Sequence, residues 1–467
     1  MKKINNMKTK SISILVALFI VSVNLFAQQI SPFNKNDRVV FLGNSITEAG
    51  YYPSYIWLYY MTRFPDMPLT VIGAGVGGDR AEEMFKRLDG DVFSKKPTVL
   101  VTTFGMNDTG YFEYNQLGAE AFADNRVNAS YEWYKKIETR YKELKNTKMV
   151  LMGSSPYDET AIIENNLPFR NKNKAMQRIV DFQRKSAVEN SWEFVDLNAP
   201  MTEINERGQK DNPTFTLCGG DRIHPDNSGH MIMAYLFLKA QGLSGKEVAI
   251  IDIDGSKLSV KSTSNCSVTG LKNSPTGISF NYLAKSLPYP LDTIVRGWNY
   301  KNAQAKVIEV VPFMEEMNKE TLLISGLSGS YRLIIDNEEI GTWSADAFAK
   351  GINMASLSNT PQYQQALKVM FLNEERLEVE RRFREFMWVQ YTVFYNKGLL
   401  FANNRESIKV LDQNLSNGWV KARRDLYTKA MSPEIRETWQ KEMDLIVSTI
   451  YKINKPLKRK ITLVKVN

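Results

Sequence analysis

The sequence predicts an α/β fold on a parallel sheet, followed by a small β-rich module and a helical C-terminal region. Three observations predict it. Between Arg38 and about Gly242, short continuous apolar runs alternate with helix-like stretches. After Gly242 the pattern becomes short alternating strands punctuated by turns, and from Thr360 onward it turns helical. Continuous apolar strands separated by helices are the mark of a parallel sheet covered on both faces.

Each element follows in order. Residues 1–27 read as a targeting segment, with Lys2, Lys3, Lys8 and Lys10 before the apolar stretch Ile12 to Phe26 and with Ala27 at a plausible cleavage point. The apolar stretch is too short and too early to favour a permanent membrane span, and no Cys at the cleavage point offers a lipid anchor. Export, to the periplasm or beyond, is the expectation. The first domain is placed at 31–243. Its strands are expected at Arg38 to Gly43, Leu69 to Gly73, Thr98 to Thr103, Lys148 to Gly153 and Trp192 to Leu197. Its helices are expected at Ser54 to Phe64, Ala81 to Leu88, Asn128 to Leu144 and Lys172 to Glu189. The β-rich module, at 246–350, shows alternating runs at Lys257 to Lys261, Ile278 to Tyr282 and Leu322 to Leu327. Tyr331 to Asp336 with Gly341 to Trp343 reads as a hairpin in a sandwich-like unit. In the helical region, at 356–467, Thr360-Pro361 and Ser432-Pro433 each pair an N-cap with a proline in the first turn. The first opens a long helix to about Tyr395; after the second, Ile435, Trp439, Met443, Ile446 and Ile450 mark one face, read as core.

Composition narrows the function classes. The chain is 43% hydrophobic, 24% charged and 11% aromatic, an ordinary globular balance. Removing residues 1–27, which hold four Lys and no acid, takes the net charge from +9 to +5, too modest and too dispersed to indicate nucleic acid. The one basic run, Lys455 to Lys465, reads as a solvated tail. Two cysteines, Cys218 and Cys266, make no disulfide framework, and whether they pair is open. Only two histidines, His224 and His230, leave little material for a zinc site. No metal, no cofactor and no membrane segment after signal cleavage are expected.

The chemistry gathers at strand ends, where ligands of such sheets bind. The first strand runs into Gly43-Asn44-Ser45-Ile46-Thr47, placing a hydroxyl at the rim. Read alone, that is also good turn chemistry. The second ends in Gly73-Ala74-Gly75-Val76-Gly77-Gly78-Asp79, whose glycines let backbone N–H groups approach a ligand. A phosphate or dinucleotide loop is the competing reading, and Gly73, Gly75 and Gly78 match the G-x-G-x-x-G spacing; but that loop should follow the first strand, and neither a Lys-Ser/Thr pair nor a ribose-binding acid is in place. The third ends in Phe104-Gly105-Met106-Asn107-Asp108, and a late loop carries Asp221-Arg222-Ile223-His224-Pro225. A hydroxyl, a backbone N–H, a carboxamide and an Asp-x-x-His are together the parts of an acyl-transfer site. No G-x-S-x-G segment suggests the α/β-hydrolase version of that chemistry.

The blocks Gly43-Asn44-Ser45-Ile46, Gly77-Gly78-Asp79, Gly105-Met106-Asn107-Asp108 and Asp221-Arg222-Ile223-His224-Pro225 resemble those of the SGNH (GDSL-like) hydrolase superfamily over about residues 38–240. The resemblance implies a flavodoxin-like three-layer α/β/α domain and metal-free ester hydrolysis. It implies Ser45 as nucleophile, His224 as general base and Asp221 as the acid orienting the imidazole. The oxyanion hole it implies is the Ser45 N–H, the Gly78 N–H and the Asn107 side-chain amide. Asn44 departs from the Asp that commonly precedes the nucleophile; that Asp is outside the triad. His230 is assigned a structural or exposed role on a helix's first turn, Asp226 a helix cap, and Asp79 and Asp108 the bracing of their loops. Trp57 is assigned to the core, and Tyr51 is a candidate lining residue.

The expected substrate is a carboxylic, and foremost an acetyl, ester on a carbohydrate, since no long apolar loop announces an acyl-chain pocket. A lysophospholipase-like or thioesterase-type lipid esterase is the alternative, and a non-catalytic glycan-binding protein on the same fold is a third reading. Packing or oligomerisation is the expected role of the C-terminal regions.

Overall fold

In the computed structural model, residues 30–274, 277–297 and 300–466 are described; the expected targeting segment at 1–27 lies outside them. The strands β1 (Arg38–Gly43), β2 (Thr70–Gly75), β3 (Val99–Thr102), β4 (Lys148–Met152) and β5 (Glu193–Val195) form one parallel sheet in the order β2-β1-β3-β4-β5. Alternate side chains point to opposite faces, and here both faces are buried. Val39 and Phe41 join the core shared with the helices Tyr51–Arg63 and Asn227–Ala240. Val40 and Leu42 join the core shared with Ala81–Lys86, Ala119–Tyr141 and Lys172–Asn190. This is the three-layer α/β/α arrangement the strand pattern predicts.

Register decides where the site can form. Gly43 pairs with Gly75 and Leu42 with Thr102, so the carboxyl ends of β2, β1 and β3 lie side by side. β2 runs two residues further than expected, into its glycine loop. The Tyr51–Arg63 helix is buried along its whole length. An all-round apolar helix needs cover on every side; beyond the sheet, the long Pro361–Trp388 helix lies against it. Asn373 Nδ2 donates to Ser54 Oγ at 2.8 Å, and Arg376 lies 4.7 Å over the Trp57 ring.

The second unit has two sheets. One has the order β13-β10-β6-β7, from β6 (Ala249–Asp254), β7 (Ser259–Ser264), β10 (Glu320–Ser325) and β13 (Ile352–Asn353). The other has the order β12-β11-β14-β9-β8, from β8 (Cys266–Ser274), β9 (Gly277–Ala284), β11 (Ser330–Ile335), β12 (Glu338–Ser344) and β14 (Arg459–Val466). Ile251, Ile253, Leu322 and Ile324 of the first meet Ile278, Phe280, Leu333 and Ile335 of the second in one core, and β11 and β12 form the expected hairpin.

Two expectations are corrected. The basic run at 455–465 is not a solvated tail: β14 inserts between β9 and β11, so the helical region ends before Arg459 and the chain's end completes the β-rich unit. Ile461 and Leu463 alternate into the core, and the lysines around them had obscured that two-residue period. The stripe on the Pro433–Ile453 helix is only partly core. Ile450 is buried, Trp439, Met443 and Ile446 are half-buried, and Ile435 is exposed, because this helix is the outer layer over Pro361–Trp388. Tyr51, the candidate lining residue, is packed between His230 and Tyr300, with ring centroids at 5.4 and 5.8 Å, and borders a small cavity with Asp292, Arg296 and Arg381. Cys218 and Cys266 are both free thiols. Among the described residues no helix is long and apolar enough to cross a membrane.

Candidate active site

Ser45 begins a four-residue helix, Ser45–Glu48, two residues beyond the end of β1. Asn44 caps it, its Oδ1 accepting from the Ile46 N–H at 3.1 Å, so the departure from Asp at this position keeps a working cap. The turn packs directly on the end of β2. A Cβ on Gly75 would lie 2.1 Å from the Glu48 backbone nitrogen, a separation that only glycine permits.

Ser45 Oγ lies 2.8 Å from His224 Nε2, and His224 Nδ1 lies 2.6 Å from Asp221 Oδ2. The other Asp221 oxygen accepts from the Ile223 and His224 N–H groups at 2.9 and 3.0 Å, closing an Asx-type turn that fixes carboxylate and ring together. Burial raises the Asp221 carboxyl, but the His224 ring and these backbone donors outweigh it and hold it below the usual carboxylate range. Its side chain stays 45% exposed and that of His224 36%, so the pair is open to solvent on one side. The loop is anchored from within by Arg222. This residue adopts φ +66°, and its buried guanidinium donates to the carbonyls of Asp158, Ala161 and Asn166.

Gly78 adopts φ +87°, a left-handed conformation that favours glycine, and a Cβ there would meet nothing within 4 Å. The loop after β3 is tied to this one: Asn107 Nδ2 donates to the Asp79 carbonyl at 2.9 Å, while its Oδ1 accepts from the Tyr111 hydroxyl at 2.5 Å. Asp108 accepts from the Ala81 and Gly105 N–H groups and the Ser130 hydroxyl, and Asp79 accepts from Arg87 at 2.6 Å, so both aspartates brace their loops. Sequence reasoning missed Lys172. Its buried ammonium donates at 2.6 Å to Met106 O, Thr109 Oγ1 and Gly110 O, fastening the segment that carries Asn107, and burial pushes its pKa down to about 7.

His230 is fully buried, against Tyr51, Tyr52 and Tyr300, and burial pushes its pKa down to about 3. It is a neutral packing residue. Asp226 caps its helix, accepting from the Gly229 N–H at 3.1 Å, and also from Asn302 Nδ2 at 2.6 Å.

The helical region reaches the site from behind. Arg423 stacks 4.5 Å from the Trp388 ring and lies 3.5 Å from Glu48, three residues past Ser45. Arg381 donates to the Ala49 carbonyl at 3.3 Å. Arg384 grips Asp91 with two 2.9 Å bonds; Asp91 in turn binds Arg87, which donates to Gly43 O and Asp79. A buried charge chain thus joins the last region to the ends of β1 and β2. No sequence signal could expose it, because Arg384 and Asp91 are 293 residues apart.

Residues 41–232 match the GDSL-like lipase/acylhydrolase family, and residues 367–455 match the diltiazem deacetylase C-terminal helical domain. The solved structure of a gut microbial diltiazem-metabolizing enzyme is 56% identical, covers 94% of this chain and 100% of its own, and superposes with a TM-score of 0.93. The chain belongs to the GDSL-like (SGNH) esterases. A further relative of this family member is an acetylxylan esterase of Geobacillus stearothermophilus, 23% identical over 223 residues, which are 44% of this chain and 94% of the relative. That similarity is confined to less than half of the chain, whereas the match to the diltiazem-metabolizing enzyme covers 94% of it.

Proposed function

We propose that this SGNH esterase removes acetyl groups from alcohols through Ser45, His224 and Asp221. The observation that carries the reading is the unbroken hydrogen-bonded line Ser45 Oγ–His224 Nε2, His224 Nδ1–Asp221 Oδ2. A serine hydroxyl is a poor nucleophile until a base takes its proton. Here the Ser45 proton passes to Nε2 as Oγ attacks the acetyl carbonyl, and Asp221 stabilises the imidazolium that forms. The developing oxyanion is received by the Ser45 and Gly78 N–H groups and by the second hydrogen of Asn107 Nδ2, whose first is held by the Asp79 carbonyl. His224 returns the proton to the departing alcohol, and water then releases acetate by the same steps in reverse.

The natural alcohol in this reading is a carbohydrate, met outside the cytoplasm after export through residues 1–27. The relation to an acetylxylan esterase supports it. A second reading, an acetate on an aromatic scaffold as in diltiazem, is favoured by the relative that matches 94% of the chain and by Phe112, 75% exposed, next to the Tyr111 that orients Asn107. The experiment is one substrate panel (p-nitrophenyl esters of rising acyl length, acetylated xylo-oligosaccharide and diltiazem) run on the wild type and Ser45→Ala. Acetate release lost in Ser45→Ala is expected, with a steep decline beyond acetyl. Wild-type turnover in the variant would sink the triad; preference for long acyl chains would transfer the reading to lipid esters. The ratio of the last two substrates chooses between glycan and aryl acetates.

A further inference from the structure

Away from Ser45, a cavity of about 530 Å³ lies between the outer edge of β2 and the helices Pro361–Trp388 and Pro433–Ile453. That volume is in the range of small-molecule sites, which favour boundaries between structural units. Its lining combines apolar bodies, among them Trp57, Phe383 and Met443, with an excess of cations. Arg38, Lys95, Arg376, Arg384 and Arg436 face it, against only Glu380 and Asp444.

The acids at its deep end are already occupied. Glu380 accepts from the Gly73 N–H at 2.7 Å and from Arg376 at 2.8 Å. Asp91 behind the wall serves Arg384, Arg87 and Lys95 at once. Arg384 spends both terminal nitrogens on Asp91, and its buried Nε has no hydrogen-bond partner. A buried guanidinium N–H left unpaired is costly and needs an explanation. The electrostatics point the same way: burial first, then repulsion from Arg384 and Arg87, brings Lys95 down to about 8 although Asp91 touches it.

We propose that this cavity is a second binding site, separate from Ser45, for an amphipathic organic monoanion: a carboxylate on an aromatic or short alkyl body. The carboxylate completes the charge balance beside Arg384 and Arg436, and the apolar body lies against Trp57, Phe383 and Met443. Neutral or cationic analogues of the same body lack the group that the arginines require.

The test is calorimetric titration of the full chain with 4-phenylbutyrate, 4-phenylbutan-1-ol and 4-phenylbutylamine. The acid is expected to bind one to one, the alcohol roughly tenfold or more weakly, and the amine not at all. Met443→Trp, which fills the cavity, and Arg436→Gln, which removes a cation, should each weaken the acid by about tenfold, with thermal melts recording whether each variant is folded. If Met443→Trp does not fold, Arg436→Gln decides alone. Equal binding of acid and amine, unchanged affinity in the folded variants, no heat at millimolar acid, or acid that competes with p-nitrophenyl acetate would each overturn the proposal.

Discussion

β2 has two very different surroundings along its length. At its carboxyl end it opens into a glycine loop whose Gly78 faces open space, beside a half-exposed histidine and aspartate. Along its outer edge the Gly73 N–H is taken by Glu380, and the flanking charges Arg376, Arg384 and Asp91 are buried. An edge strand presents unpaired backbone groups and must be covered or blunted; here a helix from a distant part of the chain covers it. One strand thus serves a reactive rim open to solvent and a covered edge, the seal, whose backbone and charges are paired. The lesson is a division of labour: the rim holds groups arranged for reaction, and the seal holds the groups that keep them in register.

Substitutions on the two sides should therefore fail differently. The largest effect is expected at the rim. His224→Ala should lower p-nitrophenyl acetate turnover roughly 10⁴-fold or more, with an unchanged melting temperature. Residual turnover within tenfold of wild type would break the contrast, since His230 is buried and neutral and cannot substitute. At the seal, Arg384→Met leaves Asp91 short of one partner in a buried network and should cost about 3–5 kcal/mol of stability in denaturant titrations. A variant of wild-type stability with intact activity would remove the seal from the account. Asn107→Ala should lower kcat by roughly two to three decades while costing only about 1–2 kcal/mol of stability for its two lost hydrogen bonds, sharpening the assignment of this residue to the rim. A loss of stability equal to that of Arg384→Met would instead make it a second brace.

The remaining effect is a pH dependence of folding. His230 is held neutral, its pKa pushed from 6.5 down to about 3 by burial. Below about pH 6.5 the unfolded chain binds a proton that the folded chain refuses, so stability is full above that pH. It falls as pH drops below that value toward 3. Denaturant titrations of wild type and His230→Phe between pH 7 and pH 4 should show a shallower acid loss in the variant; parallel curves would remove His230 as the source.

Much of the site was legible because its residues sit at ends of strands that the apolar runs already marked. Gly43-Asn44-Ser45, the glycine loop and Asn107-Asp108 each follow a strand, and parallel order with level register makes them neighbours. The cap at Thr360-Pro361 was legible for the same reason: its partner, the Tyr363 N–H, is three residues away. What could not be read are contacts whose partners are remote. Lys172 looks like any helical lysine until its ammonium is found on three oxygens of the Asn107 loop. Arg222 reads as a spacer between Asp221 and His224, and only its buried bonds to the 158–166 segment reveal it as their anchor. The packing of Tyr51 could not be read either, because its ring partners His230 and Tyr300 are remote in sequence.

By itself, then, the sequence determined the layered α/β architecture, the strand ends that carry reactive groups, and the family these blocks belong to. All of these rest on short-range patterns: apolar periodicity, turn chemistry and local caps. Only the tertiary structure decided that the last strand closes the middle unit, that the helical region seals the edge of β2, and that a cation-rich cavity lies beneath that seal. Those outcomes depend on charges and surfaces hundreds of residues apart, whose pairing is chosen by burial and long-range complementarity rather than by any local signal.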